Sequence, residues 1–120
     1  MSGHNALEAQ ANSEYLLSDP GNAKEIGSPI KHMGVVALVS AAAETRTLAA
    51  PERAGLQLTI CLDTDGGDVV VTASAAVNVA GNNTLTFADA RDKISLKAIS
   101  VGGVPTWSVE SNDGVALSTV

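Results

Sequence analysis

The chain has 120 residues, of which 45% are hydrophobic and 17% charged, and its formal net charge is −6. That length fits one domain with a modest core. The acidic balance is opposite to that of a nucleic-acid or anionic-membrane binder, and a single cysteine, Cys61, excludes an internal disulfide framework and a multi-thiolate zinc site.

Three aromatics, Tyr15, Phe87 and Trp107, leave little material for a small-molecule pocket. Ala, Val, Thr, Ser, Leu and Gly dominate instead, which suits β-structure and close subunit packing. The longest apolar runs, such as residues 34–39, are too short to cross a bilayer. No leader-type pattern opens the chain, so the expectation is a soluble protein made in a cytoplasm-type compartment. We expect neither a membrane nor a nucleic-acid partner.

Residues 1–33 differ from the rest. They hold both histidines, His4 and His32, and show little strand periodicity. Residues 6–17 suit a short helix with Leu7 and Ala11 on one side, before the turn signal Asp19-Pro20-Gly21. Leu7, Tyr15, Leu16, Leu17, Ile26 and Ile30 are more apolar than a solvated tail requires. The reading is an arm over 1–33 whose apolar residues face a partner, followed by a β-domain over 34–120.

From Gly34 the pattern takes a period of two. Residues 34–40 form a continuous apolar run, expected to be a strand buried on both faces. A strand over 44–49 follows. Leu56, Leu58, Ile60 and Leu62 then alternate with Gln57, Thr59, Cys61 and Asp63. Asp65-Gly66-Gly67-Asp68 reads as a hairpin turn with glycine supplying positive φ, and 69–73 as the return strand. Residues 74–80 make a weaker strand through Val77 and Val79. Leu85 and Phe87, then Ile94, Leu96 and Ala98, point inward along two further strands. Gly102-Gly103 is a hairpin, and Trp107 and Val109 lie on the strand after it. Asn112-Asp113-Gly114 turns the chain into a last strand with Val115 and Leu117. About eight strands at this spacing predict an all-β domain: an antiparallel sandwich, jelly roll or small barrel. Coils of a β-solenoid would share the spacing, but no fixed-period repeat is present. The expected core is Leu58, Ile60, Val71, Leu85, Phe87, Ile94, Leu96, Trp107 and Val109.

Convergent reactive groups are not evident in the pattern. Both histidines lie in the arm, and Cys61 reads as a half-buried structural thiol. Asp63, Asp65 and Asp68 could offer oxygens to a hard cation such as Ca²⁺, yet Asp and Gly are also ordinary turn residues. Arg46, Arg53, Arg91 and Lys93 read as scattered surface charges. We therefore expect no enzyme, no cofactor, no bound metal and no small-molecule substrate.

Three segments carry a resemblance. They are Leu-Gln-Leu-Thr-Ile-Cys-Leu-Asp-Thr-Asp-Gly-Gly-Asp-Val-Val-Val-Thr at 56–72, Leu-Thr-Phe-Ala-Asp-Ala-Arg-Asp-Lys-Ile-Ser-Leu-Lys-Ala-Ile at 85–99, and Trp107-Ser-Val with Asn112-Asp-Gly-Val-Ala-Leu-Ser. Together they resemble small β-rich proteins of tailed-phage structural gene clusters, the capsid decoration (cement) and head-fibre proteins, over about residues 35–118. The resemblance implies a homotrimer on the outer surface of an icosahedral head, made in the host cytoplasm, that holds neighbouring major capsid proteins together. It carries over no catalytic residue. An arm of this kind adds a strand to a sheet edge of the coat protein, and three arms on one trimer multiply a weak grip. The alternative is a head-fibre or adhesin base that touches the host surface.

Overall fold

A computed structural model describes residues 16–120. Ten strands fill it: β1 Leu16–Leu17, β2 Lys24–Ile26, β3 Met33–Ser40, β4 Glu44–Leu48, β5 Gln57–Asp65, β6 Val69–Ala73, β7 Thr84–Phe87, β8 Lys93–Val101, β9 Val104–Asp113 and β10 Ala116–Ser118. They form two five-stranded sheets, in the orders β1-β3-β5-β8-β9 and β10-β7-β6-β4-β2.

The chain crosses between sheets after β1, after β3 and after β5, so three coils stack with parallel neighbours. Leu16 aligns with Val35 and Val35 with Thr59 in the first sheet; Lys24 aligns with Arg46 and Arg46 with Val71 in the second. Every pairing made by β7 to β10 is antiparallel. The expected wholly antiparallel architecture is thus corrected to a mixed one, and successive coils of unequal length explain why no repeat period is visible. The two added strands, β1 and β2, fall in the segment assigned to the arm. They are too short to leave a periodic signal, and Leu16–Leu17 is strand, not helix.

Inward side chains of the two sheets interdigitate. Val36, Leu38, Leu58, Ile60, Leu62, Ile94, Leu96, Ala98 and Trp107 face Ile26, Leu48, Val69, Val71, Leu85 and Phe87, and all are buried. Of the expected core, only Val109 is partly exposed. Each fully buried aliphatic contributes on the order of 1.5–3 kcal/mol of transfer free energy. Trp107 also donates from Nε1 to Ala49 O at 2.9 Å, pinning β9 to the end of β4.

Three local expectations change. Asp65-Gly66-Gly67-Asp68 is a corner between sheets, not a hairpin, and neither glycine has positive φ. A Cβ on Gly66 or Gly67 would come within 3.0 Å of backbone at Ser40, Ala41 or Ala42. Glycine is there for close stacking on the β3–β4 corner, where Ser40 Oγ donates to Gly67 O at 2.7 Å and Gly66 N donates to Ser40 O at 2.9 Å. Residues 74–80 form no strand. Their backbone is engaged locally, with Val77 N donating to Asn82 O and Asn82 N to Asn78 Oδ1. Gly102-Gly103 is the expected hairpin, with φ of 58° and 85°.

Arg46 is the largest departure. It is 1% exposed, inside the end of the sandwich. Its Nε and Nη2 fork onto Asp19 Oδ1 and Oδ2 at 2.8 and 2.9 Å, and Nη1 donates to Glu44 Oε1 at 3.0 Å. Asp19 also accepts from Val39 N and Gly21 N. The first coil is thereby tied to the second by side chains as well as by two short strand pairings.

Candidate functional site

A sheet rich in parallel strands is usually covered on both faces. Here nothing among the described residues covers the outer face of the first sheet. The 34–40 run, expected to be buried twice over, is buried on one face only. Gly34, Val36, Leu38 and Ser40 point in, while Met33, Val35 and Val39 are exposed.

Register places the rest of this face. Leu16, 62% exposed, shares a row with Val35, Thr59, Ser95 and Ser111. Met33 shares the next with Gln57, Lys97 and Ser108. Below it Ile99 pairs with Thr106, and Val101 with Val104 at the hairpin tip. Apolar side chains therefore gather at two diagonally opposite corners, on β1–β3 and on the β8–β9 tip. Between them lies a small polar centre, in which Thr59 Oγ1 and Ser95 Oγ hydrogen bond at 3.0 Å.

The outer face of the second sheet is different. Thr45, Thr47, Thr72 and Thr86 dominate it, with Val70. Apolar exposure is thus a property of one sheet.

The arm residues divide. Leu7 and Tyr15 lie outside the described residues. Leu16 and Ile30 are exposed, at 62% and 70%. Leu17 packs partly against the core, and Ile26 is 2% exposed within it. Ile26 therefore holds the fold, and of the described arm residues only Leu16 and Ile30 are fully available to a partner. Sequence reasoning missed Met33, Val35 and Val39 as surface residues because an uninterrupted apolar run gives no phase.

The remaining candidates stay apart. His32 is exposed. Asp63, Asp65 and Asp68 are exposed, and among the described residues no cluster of three or more His, Cys, Asp or Glu could hold a metal ion. A groove of about 460 Å³ beside Cys61 is lined by Asp63, Asp113, Arg91 and Lys93, with both signs of charge. Burial pushes the Cys61 thiol above its ordinary pKa, Asp63 adds to that, and Sγ donates weakly to Val36 O at 3.7 Å. The thiol is a poor nucleophile at neutral pH. Asp92 is buried and accepts from Ala88 N and Asp89 N, closing the turn before β8.

The arrangement defines a two-sheet β-sandwich with one apolar, uncovered sheet face. Compared with protein-family models and with curated proteins, the chain matches none.

Proposed function

We propose that the protein is a structural virion component: a capsid decoration protein that sits as a homotrimer on the outside of an icosahedral phage head and stabilises contacts between major capsid proteins. The observation that carries this reading is the uncovered apolar face, with Leu16 at its edge where the N-terminal segment joins the sheet. A face of this kind marks a protein–protein contact more often than a site of chemistry. The phage-like strand and turn segments supply the choice of partner.

Residues 1–33 contact the coat protein, with Leu16 and Ile30 as the described contacts. Among the described residues β1 ends the first sheet, and this is the edge at which a coat-protein strand would pair. The test is co-sedimentation with heads that lack the protein. Full chain should bind saturably, and an Ile30→Asp, Leu16→Asp double variant should bind at least tenfold more weakly while keeping its melting temperature. Unchanged binding by a folded double variant would remove the arm from the contact.

A further inference from the structure

Among the described residues, 16–26 are terminal both in the chain and in the stack of coils. β1 and β2 are the last strands of their sheets, and each pairs with one neighbour, β3 or β4. In a stack of coils each layer touches only the next, so an end layer can separate while the others stay paired.

Little apolar burial holds this layer. Ile26 is its one buried side chain, and Leu17 is partly buried. Ala23 has a φ of 63°, a left-handed conformation that is costly for a residue with a Cβ. The ties are mainly polar. Asp19 takes two bonds from Arg46 and one from Val39 N. Asn22 Oδ1 accepts from Thr45 N at 3.0 Å, Ala23 N donates to Thr45 O at 2.8 Å, and Ile26 O accepts from Ala49 N at 2.9 Å.

The anchoring changes at Gly27. From Ser28 onward the chain is fixed to the segment between β4 and β5: Glu52 N donates to Ser28 Oγ, Arg53 Nη2 to Ile30 O and Gln57 N to His32 O.

We infer that residues 16–26 are a strap that opens as one unit about Gly27 while the rest of the sandwich stays folded, and that the Asp19–Arg46 pair is its latch. Glu44 lies beside Arg46 on β4 and stays with it. Opening therefore returns Asp19 and Arg46 to water and leaves neither charge buried alone. It frees the edges of β3 and β4 and presents Leu17 and Ile26, the arm residues that the closed form hides. That consequence rests on the proposed capsid contact; the opening itself belongs to the free chain and is tested without heads.

The experiment is amide hydrogen exchange of the full chain, followed by NMR at pH 7. Val39, Thr45 and Ala49 lie outside the strap but donate to it, so they should share the protection of Ala23. Leu62 N and Ala98 N donate to Asp92 O and Leu56 O, and should be at least tenfold more protected. In sub-denaturing urea the strap group should respond weakly, because its opening exposes little surface, and Leu62 and Ala98 steeply. Leu117→Ala, in β10, should speed exchange at Leu62 and Ala98 and leave the strap group unchanged. Asp19→Asn should speed the strap group at least tenfold, whereas Glu25→Gln, exposed on the same strap, should not.

A strap group as protected as Leu62 and Ala98, as steep in urea, or sped equally by Leu117→Ala would overturn the separate opening. Unchanged strap exchange in Asp19→Asn, or an equal effect of Glu25→Gln, would overturn the latch. Should Leu117→Ala fail to fold, the urea response of the wild type decides. Should Asp19→Asn fail, Arg46→Lys, which keeps the charge and loses the fork, replaces it. Failure of the strap with retained binding to heads would leave the decoration reading intact.

Discussion

Replacing Arg46 with Met removes a buried guanidinium of similar length and keeps the apolar stem. Asp19 then loses two charge-assisted hydrogen bonds and Glu44 loses one. Breaking a buried pair by removing one partner costs about 3–5 kcal/mol. The Asp19 and Glu44 side chains are 13% and 14% exposed, so water recovers part of the loss. The lower end, about 3 kcal/mol, is therefore expected, a large fraction of the roughly 5–15 kcal/mol of a small domain.

Urea unfolding at pH 7 measures the effect, and repeating it down to pH 3 adds a second signature. Burial opposes ionisation of Asp19, but bonds from Arg46, Val39 N–H and Gly21 N–H outweigh it and hold the carboxyl below its ordinary value. Glu44 is lowered by the Ala41 N–H and by Arg46. Depressed carboxylates contribute stability that is present at neutral pH and lost as pH falls through the folded values, below about pH 4. Wild type should lose stability there, and Arg46→Met should lose less because its acids start less depressed. A cost under about 1 kcal/mol, that of an exposed pair, together with an unchanged acid limb would refute the reasoning.

Other expectations follow from the same contacts. Trp107→Ala should cost about 3–5 kcal/mol, and Trp107→Phe less, near the ~1 kcal/mol of the lost bond to Ala49 O plus a small packing defect; calorimetry distinguishes the two. Gly67→Ala should lower the melting temperature more than Gly27→Ala, because a Cβ at 67 meets the Ala42–Ala43 backbone whereas at 27 nothing lies within 4 Å and φ is not positive. Ile26→Ala should destabilise by about 2–5 kcal/mol, whereas Ile30→Ala should be near neutral for folding; equal effects would contradict the division of the arm. Cys61 should alkylate more slowly at pH 7 than a free thiol, and a faster rate would contradict its raised pKa.

Alternation made the inner faces of β5, β7, β8 and β9 legible in the sequence, because apolar and polar residues exchange at every step there. Gly102-Gly103 was legible as a turn for the same local reason, whereas Asn112 and Asp113, expected in a turn, belong to β9 and only Gly114 leaves the strand. The topology was not. A corner between sheets and a hairpin use the same Asp and Gly residues, and only the stacking of Gly66 and Gly67 on Ser40 to Ala43 distinguishes them.

Short strands such as β1 and β2 are set by tertiary pairing, so Leu16–Leu17 could pass for the end of a helix. Arg46 sits in an ordinary Thr-Arg-Thr strand pattern; its burial depends on Asp19, twenty-seven residues away. The candidate surface was half legible. Leu16 and Ile30 were expected to face a partner, whereas Met33, Val35 and Val39 emerged only once the sheet had a free face.

The central claim is attachment to a phage head, and the most direct measurement is the copy number of purified chain bound to heads that lack it. The account predicts saturable binding with the protein in threes per capsid site, and greater resistance of decorated heads to heat or chelation. No binding at micromolar concentration, together with binding to host cells, would contradict it and favour an adhesin base.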